Sequence, residues 1–304
     1  MAEFRRSNTR THLLAVAVAA VVTTAVGACS PPPGNDEPDV IVIETITESV
    51  GPAPAVPPAT AGPGVGVGVG GGLEEFDAFA RQLPAQVGLA IVPVGGGQVI
   101  TGGTVMTDVA WSTIKVPLAI AALTADPAQA GNAVAAITAS DNDAAQAMWD
   151  DLGSGTAAAA AVQQVLTEFG DPGTVVQPQV TRPGFTAFGQ TIWPLTAQAQ
   201  FAASLPCHDA ADEVLTLMGQ VSPDQSWGLG ALPGARFKGG WGPNPSGGYL
   251  VRQFGVADTA AGQVAIAVAA VPTSGVFEDG IAVLDRVVSW LAPRLAALTV
   301  GSTC

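Results

Sequence analysis

The chain has 304 residues, a formal net charge of −14 and a mean hydropathy of +0.39, with only 12% of its side chains charged. So acidic a balance excludes a nucleic-acid-binding protein, which needs a basic surface. Two histidines, His12 and His208, are too few for a histidine-rich metal centre, and no metal or other cofactor is expected.

At the N-terminus, Arg5, Arg6 and Arg10 precede the apolar run "LLAVAVAAVV", and small residues lead to Cys29. That order reads as an export signal over residues 1–28. Its uncharged stretch, Leu13 to Ala28, falls short of the roughly 20 residues that span a bilayer. Val26-Gly27-Ala28-Cys29 resembles a bacterial lipobox, in which the Cys29 thiol receives diacylglycerol. An ordinary signal peptide with an incidental cysteine is the alternative. Without the leader's three arginines and one glutamate, 8 basic and 24 acidic residues remain. Such a surface gives no polybasic help at a membrane, so a lipid on Cys29 would have to hold the chain to the outer face of the cell membrane.

Residues 29–72 are rich in proline and glycine and end in "GPGVGVGVGGG", a composition that cannot offset its ordering entropy and reads as a tether. From Leu73 to Cys304 the chain is long enough for one globular unit with a substantial core. "LEEFDAFARQL" (73–83) places Leu73, Phe76, Phe79 and Leu83 at helical spacing. "QVGLAIVPV" and "QVITGG" flank three glycines, a hairpin signature.

A helix is expected to start at or just after Ser112, with Pro117 early enough to be tolerated. A helical block follows, giving an all-α part over about 112–220. Three strand candidates come next, "ARFKGG", "GGYLVRQFGVA" and "GQVAIAVAAVP". A last helix over 277–298 aligns Ile281, Leu284, Val288, Leu291 and Leu295. Strands at both ends around inserted helices predict an α+β unit. Its antiparallel sheet of about five strands would be covered by the N- and C-terminal helices. In an exported chain Cys207 and Cys304 most simply form a disulfide, worth about 4–5 kcal/mol in the loop-entropy model. Two free thiols are the other possibility.

The chain has two lysines against nine arginines. An amine, unlike a guanidinium, can lose its proton when buried, so lysines kept in such a chain suggest titratable roles. In "STIK", Lys115 stands one turn after Ser112 and could take its proton if burial and a nearby cation lowered its pKa. Lys238 in "FKGG" is a candidate for that cation. "SDN" (140–142) by itself reads as a helix cap.

Taken together and in order, "STIK", "SDN" and "KGG" resemble the three motifs of serine β-lactamases and penicillin-binding proteins, closest to class A β-lactamases. The resemblance covers residues 73–304 and makes the whole an alanine-rich lipoprotein of that type. It implies that Ser112 is the acylated nucleophile and Lys115 its proton acceptor. Ser140 would pass a proton to the leaving group, Asn142 would orient Lys115 and substrate, and Lys238 would face the substrate carboxylate. The backbone N–H groups of Ser112 and Trp241 would form the oxyanion hole, with Gly239, Gly240 and Trp241 along the substrate. A β-lactam or a peptidoglycan-type amide or ester is the implied ligand.

Three departures qualify this. Gly239 replaces a Thr or Ser, and the interval from Ser112 to Ser140 is short. "GTVVQPQVTRPGFTAFGQTIW" (173–193) has no acidic residue where class A enzymes carry the deacylating glutamate. Two functions stay open: a serine acyl-enzyme former with slow or absent deacylation, or an inactive binding protein of the cell envelope.

Overall fold

The computed structural model describes residues 70–298 and Cys304. The leader expected over 1–28, the lipidation expected at Cys29 and the expected tether up to residue 69 lie outside the described residues. Gly70–Gly72, read as the end of the tether, instead open the first helix, α1 (Gly70–Ala80). No described helix is long and apolar enough to cross a membrane.

The centre is a five-stranded antiparallel sheet in the order β2-β1-β7-β6-β5. Its strands are β1 (Ala85–Pro93), β2 (Ile100–Gly103), β5 (Arg236–Pro243), β6 (Tyr249–Thr259) and β7 (Gly262–Pro272). The N-terminal hairpin joins the C-terminal meander through β1 and β7, in register from Ala85↔Pro272 to Pro93↔Val264. β5 is an outer strand, hydrogen-bonded in the sheet only to β6.

Side-chain size decides what covers each face. On β7, Val264, Ile266 and Val268 face one way and Ala265, Ala267 and Ala269 the other, because successive side chains alternate. The bulky face meets Phe76 of α1 and Leu284 and Val288 of α8 (Phe277–Leu291). Burial of each such side chain is worth about 1.5–3 kcal/mol. The alanine face lets α6 (Leu195–Ser204) lie close, packing Ala199, Phe201 and Ala202 on the sheet. The long helix expected over 277–298 is interrupted by a 3₁₀ turn at Ala292–Arg294, where Pro293 lacks the N–H that a continuous helix needs.

Between β2 and β5 lies the helical part: α2 (Lys115–Ala125), α3 (Ala130–Thr138), α4 (Asn142–Asp151), α5 (Gly155–Glu168), α6 and α7 (Asp212–Met218). It is not wholly helical. β3 (Thr107–Val109) and β4 (Ile192–Pro194) form a two-stranded ladder that brackets the segment before Ser112. Cys207 and Cys304 are bonded, with Cα atoms 5.2 Å apart.

Candidate active site

Ser112 sits in a 3₁₀ turn, Trp111–Ile114, that leads straight into α2. Residues i and i+3 eclipse in such a turn, which sets Lys115 on the side of Ser112. Trp111 has φ = 50°, a left-handed conformation that costs an indole residue roughly 1–3 kcal/mol. The surroundings hold it there. Thr113 Oγ1 donates to Ala110 O at 2.5 Å and accepts from Gln198 Nε2 at 2.9 Å. Gln198 in turn accepts from Arg252 Nη2 at 2.7 Å.

Arg252 is fully buried on β6, among carbonyls rather than carboxylates: Asp108 O and Val109 O at 3.0 Å each and Trp193 O at 2.9 Å. Burial brings its pKa down to about 10 against the opposing pull of Asp108, so the guanidinium stays charged at neutral pH. One buried cation thus ties β3, β4 and α6 together behind the turn that carries Ser112.

Both lysines are buried. Lys115 Nζ donates to Ser140 O at 2.5 Å, Asn142 Oδ1 at 2.7 Å and Asp141 O at 3.1 Å, with Ser140 Oγ 3.5 Å away. Lys238 Nζ donates to Ser140 Oγ at 2.9 Å and Gly239 O at 3.0 Å. The Ser140 hydroxyl therefore lies between two amines. Desolvation pushes Lys115 down to about 7, against the Asp141 carboxylate that pulls it up. Lys238 is held well below its ordinary value by burial and then by the Lys115 charge.

Asp141 is also the N-cap of α4, accepting from Ala144 N at 2.8 Å. The "SDN" stretch is a cap and a lysine socket at once, and Ser140 itself has φ = 58°. No hydrogen bond reaches the Ser112 hydroxyl among the described residues, so Lys115 and Ser112 are neighbours without a direct bond.

β5 forms the facing wall. A Cβ built on Gly240 would sit 2.9 Å from the backbone nitrogens of Ser112 and Thr113, so only glycine fits there without displacement. Gly239 faces the other way, against Trp227, whose ring would lie 3.3 Å from an added Cβ. Any side chain at 239, a threonine or serine included, would press on that indole. Trp241 packs on Trp227 and Phe277.

The cavity between these walls has a volume of about 480 Å³, in the usual range for a small-molecule site. Ser112, Lys115, Asn142 and Trp241 line it, whereas Ser140, Lys238, Gly239 and Gly240 are not among its lining residues. The rest of the lining comes largely from Trp111, Phe185, Phe188, Gly242, Pro243 and Tyr249.

Among the described residues no carboxylate lines the cavity. Glu168 is exposed near the end of α5, bonded to Gln164 at 2.8 Å. Asp171, given no role in the sequence reading, is buried and occupied: it accepts from Thr174 N at 3.0 Å and Trp193 Nε1 at 2.8 Å. Gln190 organises the loop that follows, accepting from Thr181 Oγ1 and Arg182 N and donating to Thr186 O at 3.1 Å. The sequence signal for Gln190, Gln198 and Arg252 was weak: polar residues placed next to apolar ones, nothing more.

No family model and no curated protein matches the chain. Solved structures do. The TLA-1 extended-spectrum β-lactamase superposes with a TM-score of 0.61 at 14% identity, covering 74% of this chain and 98% of that one. A class A β-lactamase from Bacteroides cellulosilyticus gives 0.61 at 14% identity, covering 74% and 96%. An ancestral class A β-lactamase gives 0.58 at 18% identity, covering 73% and 98%. The chain has a serine β-lactamase-like fold.

Proposed function

We propose that, on this serine β-lactamase-like fold, the protein forms an acyl-enzyme at Ser112 with a β-lactam or a peptidoglycan-type amide or ester, and releases it slowly or not at all. One observation carries the reading: Ser140 Oγ lies between two buried lysine amines, beside a serine that opens a helix and lines the cavity. A neutral Lys115 takes the Ser112 proton as Oγ attacks the carbonyl carbon. The tetrahedral oxyanion receives the N–H groups of Ser112 and Trp241. Ser140 relays the proton from Lys115 to the leaving nitrogen or oxygen, the bond to that atom breaks, and an ester remains on Ser112. Lys238 supplies positive charge toward a substrate carboxylate, and Asn142 orients Lys115.

Hydrolysis of that ester needs a base for water, and no carboxylate among the described residues lines the cavity wall. General-base assistance typically contributes 10²–10⁴-fold, or about 3–5 kcal/mol of barrier. The ester therefore persists. Intact-mass spectrometry with a β-lactam, paired with a burst assay on a chromogenic cephalosporin, tests this. The expected result is one adduct per chain, absent in Ser112→Ala, and a single-turnover burst. Rapid steady turnover would mean that another group supplies the base.

A second reading, a binding protein that no longer acylates, draws support from the bonds of Lys115. Its three short contacts go to acceptors, the arrangement of an ammonium, and the Ser112 hydroxyl has no hydrogen-bond partner among the described residues. Ligand binding without any adduct between pH 6 and 9 would favour it.

We further propose export and lipid attachment at Cys29. Palmitate labelling that survives Cys29→Ala would overturn this.

A further inference from the structure

The loop between α5 and β4 reaches across to the end of β5 through one side chain. Arg182 Nη1 donates to Pro243 O at 2.6 Å. Its guanidinium lies over the Phe185 ring at 4.5 Å, and Phe185 packs edge-on against Trp111 at 5.0 Å. Trp111 in turn fills the space beside Gly242, where an added Cβ would fall 2.5 Å from its ring. Gly184, Phe185 and Thr186 line the cavity on the loop side, and Trp241, Gly242 and Pro243 on the strand side. Arg182 is half-buried and has no carboxylate partner among the described residues; its charge is committed to a carbonyl and an aromatic face.

We infer that Arg182 is a specificity-determining residue: its clasp between the loop and Pro243 limits the bulk of the acyl group admitted beside Trp111. The inference rests on the acyl-transfer reading for its natural substrate but not for its test. A slim ligand enters with the clasp closed. A branched aromatic one must part the loop from the strand, and so loses a charge-assisted hydrogen bond and the stacking on Phe185. Removing Arg182 should lift that penalty for the bulky ligand and leave little to lift for the slim one.

The test compares the native chain with Arg182→Ala and Arg182→Lys, using the 4-nitrophenyl esters of acetate and diphenylacetate and following adducts on Ser112 by mass. The ratio of diphenylacetyl to acetyl rates should rise ~10- to 150-fold in Arg182→Ala, the value of one hydrogen bond to a charged group. Arg182→Lys should fall between, because lysine can donate to Pro243 O but cannot stack as a plane.

A second arm removes the dependence on acylation. In a Ser112→Ala background, acetate and diphenylacetate are titrated by tryptophan fluorescence, and Arg182→Ala should favour diphenylacetate by a similar factor. Absence of adducts in every protein would count against acyl transfer alone, and the second arm would then decide the clasp. No gain for the bulky ligand in either arm overturns the inference.

Discussion

Gly240 lies directly against the backbone amide of Ser112, close enough that a single added carbon would stand 2.9 Å from the nitrogen. The contact joins β5 to the turn that opens α2, and so sets the spacing between the two proposed oxyanion donors. Gly240→Ala should push the turn away. Overpacking of this kind costs about 1–3 kcal/mol, and the same energy in the acylation barrier is ~10- to 100-fold in rate. Adduct kinetics and thermal unfolding report it together. An alanine variant with native acylation and native stability would show that the strand and turn separate freely.

The pH dependence of acylation should follow Lys115. A base must be neutral, and burial sets this amine near 7, so the adduct rate should rise with pH through about 7 and level off above it. Asp141 opposes the shift, raising the pKa through its charge. Asp141→Asn keeps a good helix cap and removes that charge. The midpoint should therefore move below 7, measured as adduct rate against pH. A midpoint that stays put would mean the profile belongs to another group.

Arg252 should matter for stability more than for chemistry. Arg252→Leu would leave the carbonyls of Asp108, Val109 and Trp193 and the Gln198 side chain without their buried donor. At about 1–3 kcal/mol for each unsatisfied buried group, a loss of at least 3 kcal/mol is expected in urea unfolding. A loss under 1 kcal/mol would mean that water replaces the guanidinium.

Opening the Cys207–Cys304 bond with Cys207→Ser should lower the unfolding free energy by up to about 4–5 kcal/mol, the chain-entropy value for so long a loop. Adduct formation on Ser112 should persist, because neither cysteine lines the cavity. Equal stability of the two proteins would show that the bond restrains the unfolded chain very little.

Regular periodicity made much of this molecule legible. "VAIAVAA" in β7 announces a strand buried on both sides, and its alternation of large and small residues encodes which face takes two helices and which takes α6. The stripe of α8 was equally readable, since it repeats the spacing that a helix imposes, whereas the stretches around Ser112, Ser140 and Lys238 repeat no spacing and stood out only by their resemblance to a known family. Short or irregular structure was not. β3 and β4 have three residues each, too few for any period. The loop from 171 to 191 is organised by Asp171 and Gln190, whose backbone and side-chain partners follow no spacing that a sequence pattern marks. The positive φ of Trp111 is imposed by packing from distant elements, and nothing local foretells it.

The pairing of β1 with β7 also governs time. Ala85 must find Pro272 and Pro93 must find Val264, across the whole helical part of the chain. Contacts of such long range are slow to form. Lys238 reaches the Ser140 hydroxyl from β5, a strand held to β1 only through β6 and β7. A nascent or truncated chain ending before β5 would carry Ser112, Lys115 and Ser140 but no second amine and no facing wall. Under the proposed acyl transfer, reactivity at Ser112 would be withheld until the last strands have docked, and a covalent probe of that serine would double as a clock for the completion of folding.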